Sequence, residues 1–283
     1  MAKPFISRPM IKIRSTLPFR QVTQSIVLLL TLGIGIQFFL YVNQAGKNDL
    51  VTITQPAGVE GFLPICALMG WKRFFLTGQW DLVHPAAMVI LGFAALISFL
   101  FRKSFCAWFC PVGTLSEGLW RLGRFLFKKN FRIPKYGDGM LRLIKYALLG
   151  FFVWVIMTMS GEQIAEFMQS PYYQMADVKM LFFFTQMTRL TFVVLLSLIA
   201  LSLLFKNFWC RYACPYGALM GFWGFFSPTC IRRHETKCTG CRRCDQICPS
   251  LLVIFDKTSI HSMECTGCMD CVVSCPSERG IGT

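Results

Sequence analysis

Cys238-Thr-Gly-Cys241-Arg-Arg-Cys244-Asp-Gln-Ile-Cys248-Pro249 is answered by Cys265-Thr-Gly-Cys268-Met-Asp-Cys271-Val-Val-Ser-Cys275-Pro276. Each run has the spacing C-x2-C-x2-C-x3-C-P, the pattern with which two-cluster bacterial ferredoxins hold [4Fe–4S] centres. The x2 spacing lets three thiolates wrap one face of a cubane from a tight loop, and the fourth cysteine ligates the other cluster. The expected sets are Cys238, Cys241, Cys244 and Cys275 for cluster 1, and Cys265, Cys268, Cys271 and Cys248 for cluster 2. Paired C-x2-C motifs also build zinc ribbons. Two complete runs, each closed by Cys-Pro, fit cubanes far better. Thr239-Gly240 and Thr266-Gly267 are small, so backbone amides can approach the sulfurs. Only eight residues follow Cys275, so the packing at that end is expected to be incomplete.

Upstream lies a second repetition. Phe105-Cys-Ala-Trp-Phe-Cys-Pro-Val-Gly-Thr-Leu115 recurs as Trp209-Cys-Arg-Tyr-Ala-Cys-Pro-Tyr-Gly-Ala-Leu219, at an offset of 104 residues. Residues i and i+4 share a helix face. Proline restricts the backbone and glycine permits a tight turn. The pairs Cys106/Cys110 and Cys210/Cys214 are candidates to converge on a metal, a third cluster or a redox-active dithiol. The alternative is unreactive cysteine packed at a repeat interface. Cys66 and Cys230 stand outside every motif and read as plain thiols.

Four apolar runs frame these motifs: Ser25–Val42, Pro85–Phe101, Tyr146–Met159 (extended by Leu141–Ile144) and Leu190–Phe205 (preceded by Met180–Phe184). With apolar flanks each approaches the ~20 residues that cross a bilayer core. The first has a basic leader like a signal peptide, but no small-x-small site follows, so it reads as an uncleaved helix. The segments 1–22, 102–145 and 206–283 carry 24 of the 29 Lys and Arg, against 8 of the 14 acidic residues. The positive-inside rule places them in the cytoplasm. The apolar loop Gly58–Trp71 is expected in the outer interface or packed on the bundle. Leu115–Lys129 reads as a basic amphipathic helix at the inner surface.

Composition agrees. Of 283 residues 54% are hydrophobic and 15% charged, against roughly 25% charged in soluble domains. That excludes a disordered chain and an ordinary soluble enzyme, and 14 cysteines in so long and apolar a chain do not make a secreted disulfide scaffold. The net charge of +15 follows topology, so nucleic acid is not an expected partner. The expected fold is an α-helical membrane protein: a four-transmembrane-helix bundle of two tandem repeats with a C-terminal α+β two-[4Fe–4S] ferredoxin-like domain. Its parts are a cytoplasmic segment 1–22, a membrane domain 23–233 and a ferredoxin-like domain 234–283.

No C-x-x-C-H haem motif, dinucleotide-binding glycine motif or P-loop occurs, and the three histidines do not offer a bis-His haem within the membrane. No flavin or NAD motif is present. Electrons must therefore enter from a partner or from a lipid-soluble carrier. A quinol site needs polar groups near an interface to take protons; Glu60, Asp81 and His84 are the candidates. The plainer reading of His84 is a residue capping the second span. Glu162 and Glu166 read as a solvated face. Arg232, Arg233, His234 and Lys237 form a basic linker suited to an acidic redox partner or a membrane surface.

Together these motifs resemble the polyferredoxin family that includes NapH-type quinol dehydrogenase subunits and the membrane part of NosR-type proteins. The resemblance covers essentially the whole chain. It implies an iron–sulfur protein of the bacterial cytoplasmic (inner) membrane, with the ferredoxin unit and both termini cytoplasmic. Such a protein would relay single electrons between the quinone pool and a periplasmic or cytoplasmic redox partner such as a ferredoxin, flavoprotein or c-type cytochrome. NosR-type proteins carry a flavin domain for which this chain has no room. The alternative function is metal handling or metalloenzyme maturation, in which the C-x3-C-P cysteines bind Cu(I) and the clusters reduce copper. Redox sensing is a third.

Overall fold

Prolines set many of the helix starts. Pro64, Pro85, Pro111, Pro171 and Pro215 each open a helix, where the missing N–H is no loss and the fixed φ suits the first turn. The computed structural model describes residues 18–46, 53–129, 131–277 and 280–282; most of segment 1–22 lies outside them. The main elements are α1 (Pro18–Gly46), a 3-10 helix (Ala57–Phe62), α2 (Pro64–Thr77), α3 (Pro85–Phe101), α4 (Ser104–Trp108), α5 (Pro111–Phe127), α6 (Lys135–Thr158), α7 (Gly161–Gln169), α8 (Pro171–Gln174), α9 (Ala176–Thr185), α10 (Arg189–Leu204), a π-helical turn (Trp209–Ala213), α11 (Pro215–Phe225), β1 (Ile231–Arg233), α12 (Arg243–Ile247), β2 (Ser259–Ile260), α13 (Asp270–Val273) and β3 (Ile281–Gly282).

Two described helices are long and apolar enough to cross a membrane: α1, over Phe19–Gly46 at mean hydropathy 2.2, and α6, over Tyr136–Thr158 at 1.8. Only 6% and 11% of their apolar windows are buried, an exposure suited to a non-aqueous surrounding. The other two expected spans fold differently. With 17 residues α3 falls short of the usual ~20. The run from Met180 to Phe205 is not one rod, because α9 and α10 meet at 80°. The break falls before Thr188, whose hydroxyl accepts the Thr191 N–H at 3.2 Å and starts α10 afresh.

The stretch Gly58–Trp71 supplies the 3-10 helix and the first half of α2, both packed on α3. Their core joins Ala67, Ala87, Leu91, Ala94 and Met220. The helices that follow the two C-x3-C-P motifs are exchanged: α5, after the first, packs on α10, while α11, after the second, packs on α3. Both contacts are backbone-close. A Cβ at Gly123 would lie 1.8 Å from the Leu203 carbonyl oxygen, and one at Gly224 would lie 2.8 Å from the Lys103 nitrogen. This exchange brings the two motifs together.

In the tail, β1 pairs antiparallel with β2 (Ile231 opposite Ile260) and with β3 (Arg233 opposite Ile281). Ile231, Ile254, Ile260 and Ile281 share one core with Cys244, Cys248, Cys265 and Cys271. In the segment after Cys275, Ile281 is buried and its strand, β3, forms one edge of the sheet beside β1.

Candidate functional site

The two ferredoxin runs fold alike. Gly240 and Gly267 have φ of 72° and 58°, and Arg242 and Met269 repeat the left-handed conformation two residues later at 52° and 60°. Glycine suits the first position because a Cβ is disfavoured there; at Gly267 it would also press on the Phe101 carbonyl oxygen, at 2.8 Å. These turns aim the Gly240 amide at the Cys238 sulfur, which with Arg233 holds that thiol below its ordinary pKa. Cys248, Cys265, Cys268 and Cys271 line one cavity, three from the second run and one from the first. The Arg102 guanidinium is buried with both terminal nitrogens unpartnered; burial holds the Cys265 thiol above its ordinary pKa, with the Gly267 amide and the Arg102 charge working against that rise. An unpaired buried cation is costly, and a cluster bound by four thiolates is an anion of the kind that satisfies it. In the other expected set, Cys241 is exposed, Cys238 and Cys275 are half-buried and Cys244 is buried.

Cys106, Cys110, Cys210 and Cys214 also share one cavity, of about 70 Å3. In each motif the first cysteine lies in a short helical turn and the second is the N-cap of the next helix, with proline at its first position. The Gly217 amide donates to Cys214 Sγ at 3.3 Å, and the Gly113 and Val112 amides act likewise on Cys110. The motif glycine does not make a tight turn, as its place in the sequence suggests. It sits inside the helix and leaves room for the first cysteine's carbonyl: a Cβ on Gly113 would be 2.3 Å from the Cys106 oxygen. Burial pushes the Cys210 thiol up to about 12, Cys110 up to about 11 and Cys106 well above its ordinary value. Burial pulls the Lys103 ammonium down, yet Cys106, Glu264, Cys214 and Cys210 together hold it above its usual pKa.

Buried ion pairs lock the tail to this centre. Arg20 donates to Asp270 at 3.1 and 3.2 Å, pairs with Glu117 and reaches the Ala107 carbonyl at 3.1 Å. Glu264, directly before Cys265, accepts from Lys145 at 2.7 Å and from Tyr146 at 2.8 Å. Arg211, inside the second motif, makes a two-pronged bond to Asp138 at 2.7 and 2.8 Å and also binds the Ser250 carbonyl. Trp108 donates to the Gly267 carbonyl at 3.2 Å. The second ferredoxin run is thus seated on the first C-x3-C-P motif. None of these partners stands out in the sequence, although Glu264 adjoins a cysteine motif and Asp270 lies inside one.

At the other end of α3 the structure brings Glu60, Asp81 and His84 together, all buried. His84 occupies the N-cap position of α3 but makes no capping bond; Glu60 does so from the 3-10 helix, accepting the Ala87 N–H at 3.0 Å. His84 Nδ1 lies 3.7 Å from Glu60 and has no hydrogen-bond partner, while Nε2 meets the Tyr173 carbonyl at 2.9 Å. Burial lowers the His84 pKa, but Glu60 and that carbonyl more than offset it, leaving it above the ordinary value. Tyr173, missed in the sequence, donates to Asp81 at 2.5 Å. Asp177, also buried and also missed, accepts from Gln55. Beside this group lies an apolar cavity of about 220 Å3 lined by residues including Phe62, Cys66, Met69, Phe167 and Tyr173. Glu162 and Glu166 are exposed, as expected of a solvated face.

Comparison with known proteins adds to this geometry. Residues 83–134 and 189–232 match a family described as a 4Fe-4S binding domain, and residues 230–276 match a 4Fe-4S dicluster domain. The putative electron transport protein YccM of Escherichia coli (strain K12) is 42% identical over 242 residues, 85% of this chain and 68% of the relative. The chain belongs to the NapH/NosR-type polyferredoxin family. The ferredoxin-type protein NapH of the same organism is 27% identical over 172 residues, 59% of this chain and 55% of NapH. The regulatory protein NosR of Pseudomonas aeruginosa is 30% identical over 146 residues, 50% of this chain but 20% of NosR. No solved structure matches. As a polyferredoxin of this family, the chain is a membrane iron–sulfur protein of electron transport, with 4Fe-4S ferredoxin domains at its C-terminal end.

Proposed function

We propose that this polyferredoxin passes single electrons between the quinone pool of the bacterial inner membrane and a redox partner. The observation that carries the quinone half is the buried group Glu60, Asp81, His84 and Tyr173 beside the apolar cavity. A quinol ring needs an apolar slot and nearby groups that accept its protons. His84 Nδ1 is the free acceptor, and Glu60 stabilises the imidazolium that results. Tyr173 and Asp81 hold a second proton-accepting site.

In this reading α1, α3, α6 and α10 are four spans in two tandem halves, and the Lys/Arg bias places the ferredoxin unit and the N-terminal side of α1 in the cytoplasm. The membrane domain is 23–233 and the ferredoxin-like unit 234–283. Two [4Fe–4S] clusters, each able to gain and lose one electron, supply the redox chemistry. Cys265, Cys268, Cys271 and Cys248 hold the one next to the membrane helices, and Cys238, Cys241, Cys244 and Cys275 the outward one. In the same unit as the exposed Cys241, Arg232, Lys237 and Arg242 are also exposed, and exposed basic residues favour an acidic protein partner.

The test is to add a menaquinol analogue to the anaerobic, iron-loaded protein and follow the clusters by electron paramagnetic resonance. Cluster reduction, or oxidation of pre-reduced clusters by the quinone, supports the proposal, provided His84→Gln slows it and leaves dithionite reduction unchanged. Silence in both directions overturns it.

A further inference from the structure

We propose that Cys106, Cys110, Cys210 and Cys214 hold a third iron–sulfur cluster of the four-iron type, at the junction of the membrane helices and the ferredoxin unit. The inference rests on the reading that the tail carries such clusters, but not on the quinone reading. Three observations carry it: convergence, charge and space.

The four thiols come from two segments 104 residues apart and line the same cavity. The helix exchange holds them there, and each motif presents its second sulfur to the amides at a helix start, which stabilise a thiolate. Packing alone does not call for this. Thiols placed merely to fill a core would leave no cavity among them.

Charge points the same way. Among the described residues, Arg20, Arg102, Lys103, Lys145, Lys206 and Arg211 are buried at this end of the molecule, against the carboxylates Glu117, Asp138, Glu264 and Asp270. Six cations face four anions, and a buried uncompensated charge is expensive. Arg102 answers to the Cys265 cavity. Lys103 lies against the tetrad: its ammonium would be 3.4 Å from a Cβ on Gly217, and its nearest carboxylate, Glu264, is 4.0 Å away and already paired with Lys145. A metal centre bound by four thiolates supplies the missing negative charge.

Space separates a cluster from a single ion. Zinc draws four sulfurs to within about 2.3 Å of one point. Among the described residues no three His, Cys, Asp or Glu side chains are arranged to hold one ion. The cavity of about 70 Å3 is several times the roughly 10–15 Å3 that one water needs on this measure. A cubane keeps its thiolates well apart and fills space between them. The family description "4Fe-4S binding domain" over 83–134 and 189–232 spans both cysteine pairs.

The experiment is iron and acid-labile sulfide per chain, with Mössbauer spectra, on the full-length protein after anaerobic reconstitution. The wild type is expected to carry about twelve iron atoms and Cys106→Ser/Cys210→Ser about eight, with four iron per cluster. If that variant does not fold, the converse pair Cys241→Ser/Cys268→Ser decides the matter: iron that stays with the tetrad, about four atoms per chain, supports the proposal. About eight iron in the wild type, lost when the tail cysteines are replaced, overturns the third cluster and leaves the two-cluster reading standing. One zinc or copper at the tetrad, or a disulfide there with no iron, also overturns it. Absence of iron from the whole chain overturns the tail reading and the third cluster with it.

Discussion

The two ends of α3 bury opposite charge. Beyond Phe101, the described buried groups are six cations and four carboxylates; around Pro85 they are Glu60, Asp81 and Asp177, with His84 as the one base among them. The same elements could not serve both ends. A surplus of buried cations suits anionic thiolate-bound clusters, and a surplus of buried carboxylates beside a histidine suits groups that take up and release protons. On the proposed function, electron handling and proton handling are thereby kept apart. The separation is the 17 residues of α3, about 25 Å at 1.5 Å per residue.

The contrast can be broken most forcefully at the cationic end. Glu264→Ala removes the carboxylate shared by Lys145 and Lys103, leaving buried cations unpaired, and is expected to cost about 3–5 kcal/mol. Thermal unfolding in detergent reads it, and the exposed Glu162→Ala should leave the midpoint unchanged. At the acidic end, Glu60→Gln removes the carboxylate that stabilises protonated His84 and should slow quinol-driven cluster reduction by roughly 100-fold, at the low end of what a positioned proton acceptor contributes. Dithionite reduction is the control.

The same pair sets a pH dependence. Glu60 on the 3-10 helix, the Tyr173 carbonyl on α8 and Asp177 on α9 favour the charged form of His84 against its burial. A proton acceptor must be neutral before it works, so the rate of quinol oxidation should rise with pH through a midpoint above 6.5. In Glu60→Gln that midpoint moves down. The stabilisation from protonated His84 has the opposite slope: it is complete below the unfolded pKa of about 6.5 and fades as pH rises through the higher folded value. A smaller effect is expected from Lys103→Met. Removing the ammonium disfavours the reduced, more negative centre beside it, so a redox titration should show one midpoint lowered and iron content unchanged.

What the sequence disclosed, and what it hid, follows from range. Ligand runs such as Cys265–Cys271 are local, so their spacing is visible. The C-x3-C-P repetition is visible too, but not that α5 and α11 trade places, because that depends on the fit of Gly123 and Gly224 against distant backbone. The fourth apolar run, Leu190–Phe205, forms α10, and the Met180–Phe184 stretch before it falls in α9; the 80° angle between them was hidden, because it is set where the Thr188 cap starts the helix afresh. Glu60, Asp81 and His84 were conspicuous as polar residues beside a span. Tyr173 was not, since its bond to Asp81 joins positions 92 residues apart. The same holds for Arg20 and Asp270, 250 residues apart.

The most direct test of the proposed separation of protons from electrons is made in vesicles. The iron-loaded chain is inserted with its ferredoxin unit inside, a menaquinol analogue is added, and external pH and cluster reduction are recorded together. The expected result is cluster reduction with both quinol protons released outside, on the Glu60–His84 side. Cluster reduction with the protons released inside, beside the ferredoxin unit, would contradict it.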